Sequence, residues 1–125
     1  MHVMSLAFST LALSSTTVIA DASPCGLWAR GDGIAKVVIE PCGGALCAVN
    51  TWIKPGVTTE KVGDRLVMNI KRQDPSRWAG TAFDPQRDLT FKMSVEVAAQ
   101  QMKTNGCVLG GLLCRTVEWT RITGN

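Results

Sequence analysis

The chain has 125 residues, 46% of them hydrophobic and 18% charged, with 13 lysines and arginines, 10 acids and one histidine. That length accommodates one domain around one core, and the composition lies outside the range of disordered chains. The basic residues run from Arg30 to Arg121 without clustering, which points to a solvated surface and excludes a nucleic-acid stripe as a partner site.

The chain opens on a segment unlike the rest. Val3 to Leu13 is apolar with small hydroxyl residues, Val18-Ile19 follow, and Ala20-Asp21-Ala22 supplies the small-x-small pattern that signal peptidase accepts. A signal peptide over residues 1–22 is expected, leaving a mature domain over 23–125 that is periplasmic or secreted. Before Leu6 only His2 stands where a positive n-region is usual, which leaves open a start codon further upstream. Serines and threonines interrupt the apolar run short of about 18 clean residues, so no transmembrane span is expected in the mature chain. Ser23-Pro24 before Cys25 is a poor context for lipid attachment. Without residues 1–22 the chain keeps 13 basic against nine acidic residues, a net charge of +4.

After this segment come short β-type runs separated by turn residues, with no sustained helical period. Gly31-Asp32-Gly33 precedes Ile34–Glu40, where Ala35, Val37 and Ile39 share a face. Pro41–Gly44 turns into Leu46–Ile53, which Lys54-Pro55-Gly56 ends. Gly63-Asp64 opens Arg65–Arg72, with Leu66, Met68 and Ile70 on one side. Gln73–Ser76 turns into Trp78–Phe83, and Asp84–Arg87 into Leu89–Val97, whose Leu89, Phe91, Met93, Val95 and Val97 alternate with polar residues. Gln100–Val108 and Leu113–Ile122 complete the set across Gly110-Gly111. About eight short hairpin-linked strands define an all-β fold, a small antiparallel barrel in preference to a small sandwich because closure leaves no edges.

Five cysteines in a short exported chain argue for disulfides. Cys42 and Cys47 bracket one glycine turn and Cys107 and Cys114 another, so a bridge is expected across each, worth about 2 kcal/mol on the chain-entropy estimate, with Cys25 unpaired. Neither pair has the spacing of a zinc site, and no metal or other cofactor is expected.

The mature chain contains no histidine and no tyrosine, which removes Ser-His-Asp and Cys-His catalysis and the commonest general base. Glu40, Asp84, Glu96 and Glu118 are the candidate carboxylates for hydrolysis, and each reads as a turn or solvent-facing residue. The chain is therefore expected not to be an enzyme. Four tryptophans remain, and a barrel places them as core, as end plugs or as a cavity lining. Trp52, Trp78, Phe91 and Met93 are the candidate lining of a ligand cavity.

Gly26-Leu27-Trp28 matches the Gly-x-Trp motif of the lipocalin-like superfamily, with Arg121 in the last strand. The mature chain further resembles the bacterial domain of unknown function 2147 family. The carrying residues are Gly26-Leu27-Trp28, Cys42-Gly43-Gly44-Ala45-Leu46-Cys47, Trp78-Ala79-Gly80 with Asp84-Pro85, Gly106-Cys107-Val108-Leu109-Gly110 and Trp119-Thr120-Arg121. The resemblance implies an exported lipocalin-like barrel in which Arg121 stacks on Trp28 and closes one end; it brings no activity. Lys54–Lys61 is shorter than the family's segment there. The functional expectation is a monomeric periplasmic binding or accessory protein for a small apolar ligand or envelope component. The rivals are a solid barrel used through its surface and a carboxylate-based hydrolase.

Overall fold

A computed structural model describes residues 22–123 continuously, with isolated positions 5, 7, 9 and 10 before them. The expected signal peptide, apart from Ala22, lies outside this described stretch. Eight strands follow one another: β1 Gly26–Arg30, β2 Ala35–Cys42, β3 Ala45–Ile53, β4 Arg65–Asp74, β5 Arg77–Asp84, β6 Leu89–Val97, β7 Gln101–Val108 and β8 Leu113–Arg121. Each pairs antiparallel with the next, and β8 returns to β1, so the sheet is a closed barrel. The sequence reading of a small antiparallel barrel holds. The strand it did not mark is β1, because Ala29-Arg30 after Trp28 continues no apolar alternation.

Alternation within the strands sorts the side chains by face. Trp28, Val37, Ile39, Met68, Ile70, Ala82, Met93, Val95, Val97 and Met102 point inward and form one buried cluster, against which Leu46, Ala48, Leu66, Trp78, Phe91 and Trp119 pack. Thr104 is the buried polar residue on β7, and its hydroxyl accepts a hydrogen bond from Trp119 Nε1 at 3.0 Å. Across the β6–β7 pairing the Phe91 ring packs against Gly106, and a Cβ there would sit 2.9 Å from the ring. The phenyl ring takes the volume that Gly106 leaves.

One register shift has consequences for the candidate site. Lys36 pairs with Trp52 while Val37 pairs with Asn50, so Thr51 is an extra residue on β3. Such a bulge reverses alternation beyond it. Asn50 points inward with Ala48, and Trp52, two residues on, turns to the outside.

The described cysteines form Cys42–Cys47 and Cys107–Cys114 disulfides, and Cys25 is free. Cys107 and Cys114 are directly opposite in register, whereas Cys42 and Cys47 lie on a diagonal of the β2–β3 hairpin. A short 3-10 turn over Leu109–Gly111 joins β7 to β8. Among the described residues no helix is long and apolar enough to cross a membrane.

Candidate functional site

The two ends of the barrel are built differently. At the end where β1 begins, the chain over Ala22–Cys25 crosses the opening as a strap. Trp28 is fully buried beneath it and donates its Nε1 hydrogen to Pro24 O at 2.9 Å. Arg121 Cζ stands 4.2 Å from the Trp28 ring centroid. Its guanidinium donates to Ala99 O at 2.9 Å, Cys25 O at 3.0 Å and Ser23 O at 3.1 Å. A second pair repeats the device: Arg72 Cζ lies 4.6 Å from the Trp78 centroid and donates to Pro75 O at 2.8 Å and Ala22 O at 3.2 Å. Planar cations thus cover two indole faces and tie the strap down through their edges. Gly26 is needed for this packing, because it has φ +131° and a Cβ on it would meet Arg121 Nη1 at 2.6 Å. The Trp78 indole nitrogen is buried with no hydrogen-bond partner.

At the opposite, polar end the β3–β4 loop folds over the mouth. Arg30, the last residue of β1, points inward and grips Glu60 with both terminal nitrogens while its Nε lies 2.9 Å from Asp32. The Arg30 and Glu60 side chains are only 11% and 19% exposed. The hydrogen bonds from Arg30 hold the Glu60 carboxyl below the usual carboxylate range, and Glu60 in turn raises Arg30. Asn50 anchors the same loop by donating to Lys61 O at 3.2 Å, and Arg87 donates to Thr59 O at 2.6 Å and to Asp84 at 2.9 Å. Burial pushes the Asp84 carboxyl up, but hydrogen bonds from Arg87 and Gln86 outweigh that and leave it below its ordinary value.

The polar end also carries an unusual tip. The β7–β8 turn exposes Leu109, Leu112 and Leu113 by 73%, 89% and 62%, directly beyond the Cys107–Cys114 bridge. An open hollow of about 200 Å3 at its base is lined by residues including Thr81, Lys92, Cys107 and Leu109. A larger open groove, about 580 Å3, runs along the outer wall of β5–β8 over Ala79, Ser94, Asn105 and Thr116, with Arg77, Glu96 and Lys103 beside it.

Of the four candidate lining residues, Trp78, Phe91 and Met93 join the same packed core cluster, and Trp52 does not. Trp52 lies on the outer wall with Lys36 Nζ 5.2 Å from its ring, because of the bulge. Met93 is buried in the core, Phe91 covers Gly106, and Trp78 stacks under Arg72 at the strapped end. The candidate acids are also dispersed: Glu40 is exposed on β2, Asp84 is held by Arg87, and Lys103 stands in register between Glu96 and Glu118. No cluster of metal-ligating side chains occurs among the described residues.

Sequence reasoning missed the Arg72–Trp78 stack, the Arg30–Glu60 pair and the leucine tip. The last had a visible signal. A turn inside a cysteine bracket normally carries polar residues, and Val108-Leu109-Gly110-Gly111-Leu112-Leu113 carries none.

The fold and the plug at one end define a class, the small closed lipocalin-like barrel with an arginine stacked on a buried tryptophan. The chain belongs to the bacterial family described as an uncharacterized protein conserved in bacteria (DUF2147), which matches residues 26–121. No curated protein and no solved structure matches the chain.

Proposed function

We propose that this is a non-enzymatic accessory protein of the bacterial envelope, exported and monomeric, that works through its outer surface at the polar end and carries no small molecule in its lumen. One observation carries the reading: the interior is occupied by the protein's own side chains, with Trp28, Met68, Ala82 and Val95 at 0–1% exposure. An eight-stranded barrel has room to be packed solid or to hold one small ligand, and the two open hollows described above lie at the tip and on the outer wall. Both ends are covered by chain segments held by arginines, so an apolar ligand among Trp78, Phe91 and Met93 would have to displace core residues. Asp74 and Glu96 share the outer-wall groove, but Arg77 Nε stands 4.0 and 3.9 Å from them, so both acids are set beside one exposed arginine and not as a general acid and base across a cleft. The two disulfides are compatible with an oxidising compartment.

Native mass spectrometry of protein purified from the envelope without denaturant tests the lumen. The expected mass is that of the chain alone. A small molecule retained in stoichiometric amount, and lost when Met93 is replaced by Trp, would replace this reading with that of a ligand carrier.

A further inference from the structure

We infer that the polar end docks on an anionic phospholipid surface, with the β7–β8 leucine tip inserted among the lipid headgroups. The inference rests on the outer-surface reading and names its partner. Large exposed hydrophobic side chains number seven among the described residues, and six of them, Trp52, Val62, Leu89, Leu109, Leu112 and Leu113, belong to strand ends or loops of this one end. Scattered exposed apolar residues need no explanation, but concentration at one pole does. Three of them form a projecting point in place of a flat face, which suits shallow insertion between headgroups better than burial against a folded partner.

Leu109 strengthens the case. It sits at φ +55°, a conformation that strains any L residue with a branched apolar side chain and that glycine adopts freely. The turn would be better served by glycine there, so the leucine is retained at the expense of the turn. The disulfide between Cys107 and Cys114 fixes the tip from behind, so little ordering entropy is lost when it inserts.

The charge at this end is complementary to anionic lipid. Asp32 and Glu60 are engaged by Arg30 and Asp84 by Arg87, whereas exposed Lys54, Lys61, Arg65, Lys92 and Arg115 make no ion pair among the described residues, against two acids at this end, Asp64 and Asp88, that make none either. Lys92 and Arg115 flank the tip, opposite Cys107 and Gly106 in register. Cations set just behind inserted apolar side chains face the phosphate layer. Trp52, paired with Lys36 on the outer wall close to the same end, is placed as an interfacial aromatic.

The test is co-sedimentation with phosphatidylcholine vesicles with and without phosphatidylglycerol, at low and at raised salt. The full chain is expected to bind the anionic vesicles and to release with salt. Leu112→Asp with Leu113→Asp should lower the partition coefficient by about tenfold or more, since each removes an exposed leucine from the inserted set. Leu109→Gly should lower it severalfold while leaving the thermal midpoint unchanged or raised, which separates insertion from folding. Lys92→Glu with Arg115→Glu should abolish the preference for phosphatidylglycerol. Equal binding to both vesicle types, no binding to either, or anionic binding indifferent to the three leucines would overturn the proposal. If a cross-linked protein partner is instead lost in the leucine variants, the lipid proposal fails while the outer-surface reading stands.

Discussion

Both ends of this barrel are closed in the same way, by a chain segment that arginines pull across the opening, yet the acceptors differ. At the strapped end Arg121 and Arg72 donate to backbone carbonyls and lie on indole faces. At the polar end Arg30 and Arg87 are set against carboxylates. Carbonyls and aromatic faces do not titrate, whereas carboxylates do. One residue type therefore ties down one covering segment through contacts that do not titrate and the other through contacts that do, and the second end is the one that carries the exposed leucines and the unpaired cations.

The sharpest way to break that comparison is at Trp28. Trp28→Ala should destabilise by about 3–5 kcal/mol, as expected for a buried aromatic of that size, and denaturant unfolding measures it. Arg121→Lys should cost about 1–2 kcal/mol, because lysine keeps the charge but loses the planar stack and the fork that reaches three carbonyls. The double mutant should be clearly non-additive; additivity would mean that the strapped end is not held by this contact. Neither loss should vary between pH 4 and pH 7.

Removing the tip bridge with Cys107→Ser and Cys114→Ser should lower stability by about 2 kcal/mol on the chain-entropy estimate. Unfolding followed by fluorescence of the buried Trp28 should stay a single transition; a separate early phase would show the polar end to be its own unit. Glu60→Gln should cost about 1–2 kcal/mol at neutral pH, because it leaves a largely buried guanidinium with Asp32 as its remaining charged acceptor.

The pH dependence follows from the same pair. Arg30 depresses the Glu60 carboxyl in the folded state, so the stability it contributes is fully present above the unfolded value near about 4.3 and is lost as pH falls through the lower folded value. Asp32 and Asp84 are depressed too and act in the same direction. Glu60→Gln should flatten this acid limb, and an unchanged limb would locate the titrating group elsewhere. The smallest expected effect is at the tip, where Leu112→Ser should change stability by less than about 0.5 kcal/mol. A larger loss would mean that the leucine is packed and unavailable to a partner.

Much of this architecture was legible in the sequence because strand alternation is a local signal. Leu89–Val97 and the Ala35, Val37, Ile39 face could be read directly, and both cysteine brackets enclose turns. Trp52 could not be placed, since its face depends on a single extra residue opposite Lys36, and a bulge leaves no mark in a periodicity. The Arg30–Glu60 pair joins residues thirty positions apart, a separation that only the closed topology brings into contact. Arg72 and Trp78 lie across one hairpin, and their stack was readable in principle once Trp78 was assigned to the inward face.

The shortest strand has a further consequence. β1 meets β8 through only three register pairs, Trp28 with Arg121, Ala29 with Thr120 and Arg30 with Trp119, while every other neighbouring pair forms between strands adjacent in sequence. Closing that seam joins the two extremities of the domain and carries the largest loop-closure entropy in the fold. It is the natural last step of assembly and the first to open, so amide exchange at Ala29 and Thr120 should be faster than at the centre of β4–β6, and Arg121, which crosses from β8 to the strap, serves as the latch on the seam.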